Sequence, residues 1–157
     1  IPPQIPEGAL ASPGITPVSA EWNQPYSPMY KYPLANVEAV LKETPAAKDG
    51  SRRIRYTNPL TGGAAMPGID CYMLAPGQGA ETRAYRSNAN MVCLAATGEG
   101  VSTIGDETIT WKKNDIFTLP RGNWITHKAT SGDAKLFQLT DRDVLAQIHY
   151  LREEFAD

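Results

Sequence analysis

The chain is predicted to be all-β, a sandwich or small barrel forming one domain. Three observations carry this. Between Arg53 and about Gln138, short runs rich in apolar and β-branched residues follow one another. Turn residues separate them at regular intervals, among them Asn58-Pro59, Pro76-Gly77, Gly105-Asp106 and Pro120-Arg121-Gly122. The length, 157 residues, suits one domain with a full core.

The elements are expected in this order. Residues 1–33 are proline-rich, from Pro2 and Pro3 through Pro25, Pro28 and Pro33. Proline fixes φ and removes backbone donors, so this stretch forms neither a regular helix nor a central strand. Trp22, Tyr26, Met29, Tyr30 and Tyr32 mark its second half as an arm lying across a surface, its own barrel's or a neighbour's. Asn36 is expected to cap a short helix with Val37, Val40 and Leu41 on one face and Glu38 in its first turn. Pro45 and Asp49-Gly50 end it. Residues 1–50 thus read as an interdomain arm with a short helix, and 51–157 as a barrel with a C-terminal helix.

Strands are predicted over 53–57, 69–74, 91–96, 101–104, 108–111, 116–119, 124–129 and 135–139. Gly105-Asp106 between Ile104 and Glu107 is a tight-hairpin signal. Asp143 then caps a terminal helix whose stripe is Val144, Ile148, Leu151 and Phe155.

Composition excludes several classes. Net charge is -2 and the basic residues are scattered, so no stripe is built for nucleic acid. No apolar run approaches the roughly 18 residues of a membrane span. No charged n-region and apolar h-region open the chain, and the first residue is Ile1. The expectation is a chain processed or cut from something longer, without a signal peptide. Cys71 and Cys93 sit in apolar strand-like runs and read as buried thiols, which fits a reducing cytoplasm.

The turn residues follow a specific punctuation. Gly79 is followed by five residues, Tyr85-Arg86-Ser87, three residues, Met91, six residues and Gly98. Then come Asn114, Pro120, Gly122, Ile125 and Ala129. This resembles the two motifs of metal-binding cupins, a jelly-roll barrel family, with the ligands replaced. The two histidine positions of the first motif hold Tyr85 and Ser87, and its glutamate position holds Met91. The histidine of the second motif is Ile125.

A closer resemblance lies in Tyr56-Thr57-Asn58-Pro59-Leu60-Thr61-Gly62-Gly63 and Met66-Pro67, in Arg83 to Ser87, in Asp115 to Pro120, in Leu136 to Arg142, and in Tyr150 to Glu154. These segments resemble the C-terminal cupin of gentisate 1,2-dioxygenases, bicupins similar to salicylate and 1-hydroxy-2-naphthoate dioxygenases. Ser27 to Pro33 resembles the linker between their halves. The resemblance implies a cupin fold and a parent that opens the ring of an aromatic hydroxy-acid. It implies Fe(II) in the absent N-terminal half and no cofactor in this one. The implied partners are that N-terminal cupin and identical subunits.

Alternating strand faces put Tyr85 with Ser87, and Ile125 with His127, on one side. Fe(II) needs several His or carboxylate ligands, which Tyr, Ser, Met and Ile do not supply. No metal and no catalytic residue is therefore assigned. Tyr85, Ser87, Met91, His127, Arg83 and Trp124 remain candidates for small-molecule contact inside the barrel. Arg86 and Arg121 are read near its mouth, His149 as a surface or packing residue, and Trp111 as core. The expected role is structural and oligomeric. The alternatives are a stand-alone metal-free cupin holding a small organic acid, and a metal-independent sugar epimerase or isomerase using Tyr85 and His127 as a proton-transfer pair.

Overall fold

The computed structural model describes residues 29–157. Expectations for Trp22 and Tyr26 lie outside the described residues. Helix α1 spans Leu34–Glu43. The strands are β1 (Arg52–Tyr56), β2 (Asp70–Ala75), β3 (Tyr85–Ser87), β4 (Met91–Thr97), β5 (Glu99–Ile104), β6 (Glu107–Lys112), β7 (Ile116–Leu119), β8 (Ile125–Ala129) and β9 (Lys135–Thr140). Helix α2 (Arg142–Gln147) and strand β10 (Glu153–Phe155) follow. All eight sequence-predicted strands are present, within one or two residues at each end.

Two five-stranded antiparallel sheets face each other, ordered β1-β2-β9-β4-β7 and β10-β3-β8-β5-β6. This is the cupin architecture. β5 and β6 form the expected hairpin at Gly105, which has φ 58°. The glycines of the cupin punctuation, Gly79, Gly98 and Gly122, all take φ between 70° and 83°. Asn114 stands where the second motif opens on glycine, and it adopts φ 74°. Asn is one of the few residues that tolerates the left-handed region.

The core has layers on both sides of the first sheet. Between the sheets Trp111, Leu136, Ala95 and Leu74 are buried together. On the outer face, Val37 and Leu41 of α1 cover Met73, with Ile54, Tyr56 and Phe137 around them. Double-sided cover explains why β2 is buried at five successive positions rather than alternately. The arm's end joins this layer: the Tyr32 ring meets Tyr56 edge-on at 5.3 Å, and its hydroxyl donates to the Thr57 carbonyl at 2.8 Å. Tyr30 is fully exposed.

Three expectations about helices need correction. α1 starts at Leu34 behind Pro33, not at Asn36, because proline presets φ for a helix start. No acidic residue falls in its first turn, and Val40 is half exposed, since only Val37 and Leu41, one turn apart, reach the sheet. The terminal helix is short. It runs from Arg142 to Gln147 behind Asp141, and His149 takes φ 57°, which ends it. The amides of Tyr150 and Leu151 both donate to the Leu145 carbonyl. The chain then turns into β10 and pairs antiparallel with β3: Glu153 opposite Ser87, Glu154 opposite Arg86, Phe155 opposite Tyr85. β3 would otherwise be an unpaired edge. The predicted stripe is not a buried helical face, and Val144, Ile148 and Phe155 are all largely exposed.

An ionic chain holds this corner. Asp70 on β2 is fully buried. It accepts from Arg55 Nε of β1 at 2.7 Å, and Arg142 Nη1 of α2 lies 3.7 Å from its other oxygen. Arg142 in turn donates to both oxygens of Glu153, at 2.9 and 2.8 Å. Glu153 also accepts from the Tyr85 hydroxyl.

Replacing Asp70 with Ala leaves two guanidinium groups without their shared buried carboxylate. The expected loss is about 3 kcal/mol of unfolding free energy, read from the denaturant midpoint. A loss below about 1 kcal/mol would show that the network carries no weight.

Candidate functional site

The barrel encloses a cavity of about 690 Å³ between the two sheets. A backbone constraint lies behind His127, which lines the cavity. Gly100 on β5 faces Trp111 on β6, and a Cβ there would lie 2.5 Å from the indole ring. The bare glycine admits the ring, whose Nε1 donates to Ser102 Oγ at 2.8 Å. Ser102 lies directly opposite His127 in the sheet, with its Oγ 2.6 Å from His127 Nδ1. Ser102 is buried and its hydroxyl has no acceptor other than Nδ1 among the described residues, so its own proton goes to Nδ1. That order places the imidazole proton on Nε2, which has no protein partner among the described residues.

His127 is buried, and burial, with the Arg53 charge adding to it, pushes its pKa down to about 4. It is therefore a neutral Nε2–H donor at the cavity wall. Gln138 on β9 also lines the cavity, and its side-chain oxygen is buried without a hydrogen-bond partner. The Gln138 amide hydrogen-bonds Cys93, its cross-strand neighbour. Burial pushes that thiol up to about 12, and burial likewise raises the Cys71 thiol. Neither cysteine is a nucleophile at neutral pH.

Apolar walls come from Leu74, Met91, Leu119, Ile125 and Phe155. The mouth is formed by residues 47–51, by Thr82 and Arg83, and by Asp157. Arg83 is tethered there: its Nε donates to the Ala156 carbonyl at 2.7 Å and its amide to Asp49 at 2.7 Å. Burial and the Glu153 hydrogen bond push Tyr85 up to about 12. Burial pushes Glu153 up as well, but the bonds from Arg142 and Tyr85 outweigh it and hold this carboxyl below its ordinary value.

Of the sequence candidates, Tyr85, Met91, His127 and Arg83 line this cavity. Ser87 and Trp124 do not. Ser87 is buried with its hydroxyl accepting from the Ala89 amide. Trp124 precedes Ile125 and so faces the opposite side of the strand, outside the barrel, with the Arg86 guanidinium 4.7 Å over its ring. Arg86 pairs with Glu154, and Arg121 lies in the same outer groove. His149 is exposed and Trp111 is core.

Sequence reasoning missed Arg53 and Gln138. Arg53 on β1 lines the cavity and is an exposed residue at its open side. Its guanidinium lies 3.9 Å over the Tyr72 ring. Burial lowers its pKa. The available signal was strand alternation: Arg53 and Arg55 share one face of β1, opposite Ile54 and Tyr56.

With this geometry in view, relatives can be weighed. No protein-family model matches the chain. The gentisate 1,2-dioxygenase 1 of Aquipseudomonas alcaligenes is 32% identical over 131 residues, 81% of this chain and 38% of that protein. The 5-aminosalicylate 1,2-dioxygenase of Comamonas sp is 28% identical over 144 residues, 86% of this chain and 37% of that protein. The salicylate 1,2-dioxygenase of Pseudoaminobacter salicylatoxidans superposes with a TM-score of 0.79 at 26% identity, over 95% of this chain and 43% of that one. The chain is a partial cupin homologue of the gentisate-type dioxygenases. It spans less than half the length of these relatives. Within this gentisate-dioxygenase-type cupin, no helix among the described residues is long and apolar enough to cross a membrane.

The neutral, buried His127 makes a pH prediction. The folded pKa lies below the unfolded value of 6.5, so its contribution is complete above that value and is lost as pH falls toward 4. Stability is expected to drop by about 2 kcal/mol between about pH 7.5 and pH 5, before most carboxylates titrate. His127→Asn keeps an acceptor for Ser102 and removes the titration, so its chemical-denaturation stability stays flat over that range. An equal pH dependence in the two proteins would refute the assignment.

Proposed function

We propose that this chain is the metal-free C-terminal cupin half of a ring-cleaving aromatic-acid dioxygenase, with a structural and oligomerisation role. The observation that carries it is the chemistry at the four cupin ligand positions. Tyr85 is bonded to Glu153, Ser87 to a backbone amide, and Met91 and Ile125 are apolar cavity wall. Fe(II) does not fit such a set. His127 offers one imidazole, whose Nδ1 is already engaged by Ser102. Among the described residues no three His, Cys, Asp or Glu side chains converge. In this reading the iron, O2 activation and the aromatic hydroxy-acid substrate belong to an N-terminal cupin of the parent protein.

The structural role draws support from the first sheet's outer face. α1 covers it over β1, β2 and β9, whereas Val92 and Ile116 on β4 and β7 are 40% and 69% exposed. An N-terminal cupin or an identical subunit is the proposed cover.

The purified chain, supplied with Fe(II) and gentisate in air, is expected to give no ring-opened product and to retain no stoichiometric iron on elemental analysis. Turnover within the usual enzymatic range of about 1–1000 per second, or one tightly bound iron per chain, would overturn the reading.

Sedimentation over a wide concentration range is expected to show self-association, or docking to a separately expressed N-terminal cupin. Val92→Glu with Ile116→Glu should abolish it. A monomer throughout that also ignores the N-terminal cupin would remove the structural role.

A further inference from the structure

We infer that the barrel cavity is a binding site for a small organic monocarboxylate with an apolar body and a hydrogen-bond donor, its carboxylate anchored by Arg53. This goes beyond the structural role and does not depend on it.

Arg53 is the first reason. Its side chain lines a half-open cavity, and among the described residues it makes no hydrogen bond or ion pair to the protein. Its contact is the Tyr72 ring at 3.9 Å, which uses the face of the guanidinium and leaves the donor edge open. Asp157 lies at the cavity mouth, and the other nearby carboxylates are committed elsewhere. Glu153 is held by Arg142 and Tyr85, Asp70 by Arg55, and Asp49 by Ser51 and the Arg83 amide. A cation at a cavity wall with a free planar donor fork matches a carboxylate in bidentate fashion.

Gln138 is a second, independent reason. It is 3% exposed, lines the same cavity, and its side-chain oxygen lacks a partner. A buried orphan acceptor costs about 1–3 kcal/mol unless something donates to it. A hydroxyl or amine on the bound molecule supplies that proton. His127 adds the converse group, an Nε2–H with no acceptor among the described residues, next to Met91, Leu119 and Ile125 as apolar wall. The cavity volume, about 690 Å³, lies within the usual range for small-molecule sites, roughly 300–1,000 Å³.

The test uses the whole chain with 4-hydroxybenzoate and its neutral isostere 4-hydroxybenzamide, followed by titration calorimetry. The carboxylate is expected to bind at least roughly tenfold tighter than the amide, the scale of one charge-assisted hydrogen bond. Arg53→Gln should lose at least that factor while melting close to wild type, because Arg53 makes no polar bond to the protein among the described residues. Proton NMR needs no variant: the chain has two histidines, and saturation with 4-hydroxybenzoate should shift the His127 ring signals and leave exposed His149 unmoved. Equal binding of the amide, undiminished binding by Arg53→Gln, a silent His127, or no binding at all would each overturn the site.

Discussion

The buried carboxylate of Asp70 is the interaction on which this barrel's closed corner depends. It lies on β2 in the first sheet, yet its partners extend to Arg55 on β1 and Arg142 on α2. Arg142 passes the connection to Glu153 on β10, and Glu153 to Tyr85 on β3, both in the second sheet. One carboxylate thus begins a chain of charges that ties the two sheets together. Burying a charge is tolerable only when opposite charges and hydrogen bonds surround it, and here each member has that company. The Arg142–Glu153 pair first raises the guanidinium's pKa, which burial alone would lower, so both groups stay ionised across the neutral range.

The network also decides what the cavity contains. Glu153 is the carboxylate whose field reaches Arg53, but its oxygens are taken by Arg142 and Tyr85. Held in place, it does not swing across to neutralise Arg53. The cation therefore remains open to the cavity, and His127 beside it remains neutral. The proposed site for an organic anion rests on this interior. The same fold carries either this interior or a metal set because the strands present side chains inward whatever those side chains are.

What persists from the cupin pattern is conformational. Gly79, Gly98 and Gly122 sit at positive φ, and a Cβ on Gly98 would lie 2.5 Å from the Ala134 Cα. Those positions are fixed by backbone sterics, which do not depend on metal. Asn114 shows the limit of the constraint, since φ 74° admits Asn in place of Gly. The ligand positions carry no such backbone demand. They drifted to groups that pack or bond locally: Met91 and Ile125 to the wall, Ser87 to an amide, Tyr85 to Glu153.

The sequence by itself determined the all-β class, the strand positions, the hairpin at Gly105 and the residue types at the cupin ligand positions. Each follows from local rules: alternation, turn chemistry and ligand identity. It misread the end of the chain, because Val144, Ile148, Leu151 and Phe155 hold helical spacing while the unpaired edge of β3, far away in sequence, captures 153–155 as a strand. It misplaced Trp124 for a related reason, since an aromatic beside the core strand reads as core until the pleat assigns it the outer face. Only the tertiary structure revealed Arg53. In β1 the apolar residues Ile54 and Tyr56 turn outward to meet α1, and Arg53 and Arg55 turn inward. Apolar-in, polar-out holds when one face is wet. Here a helix dries the outer face, and the barrel's interior is where charge is kept.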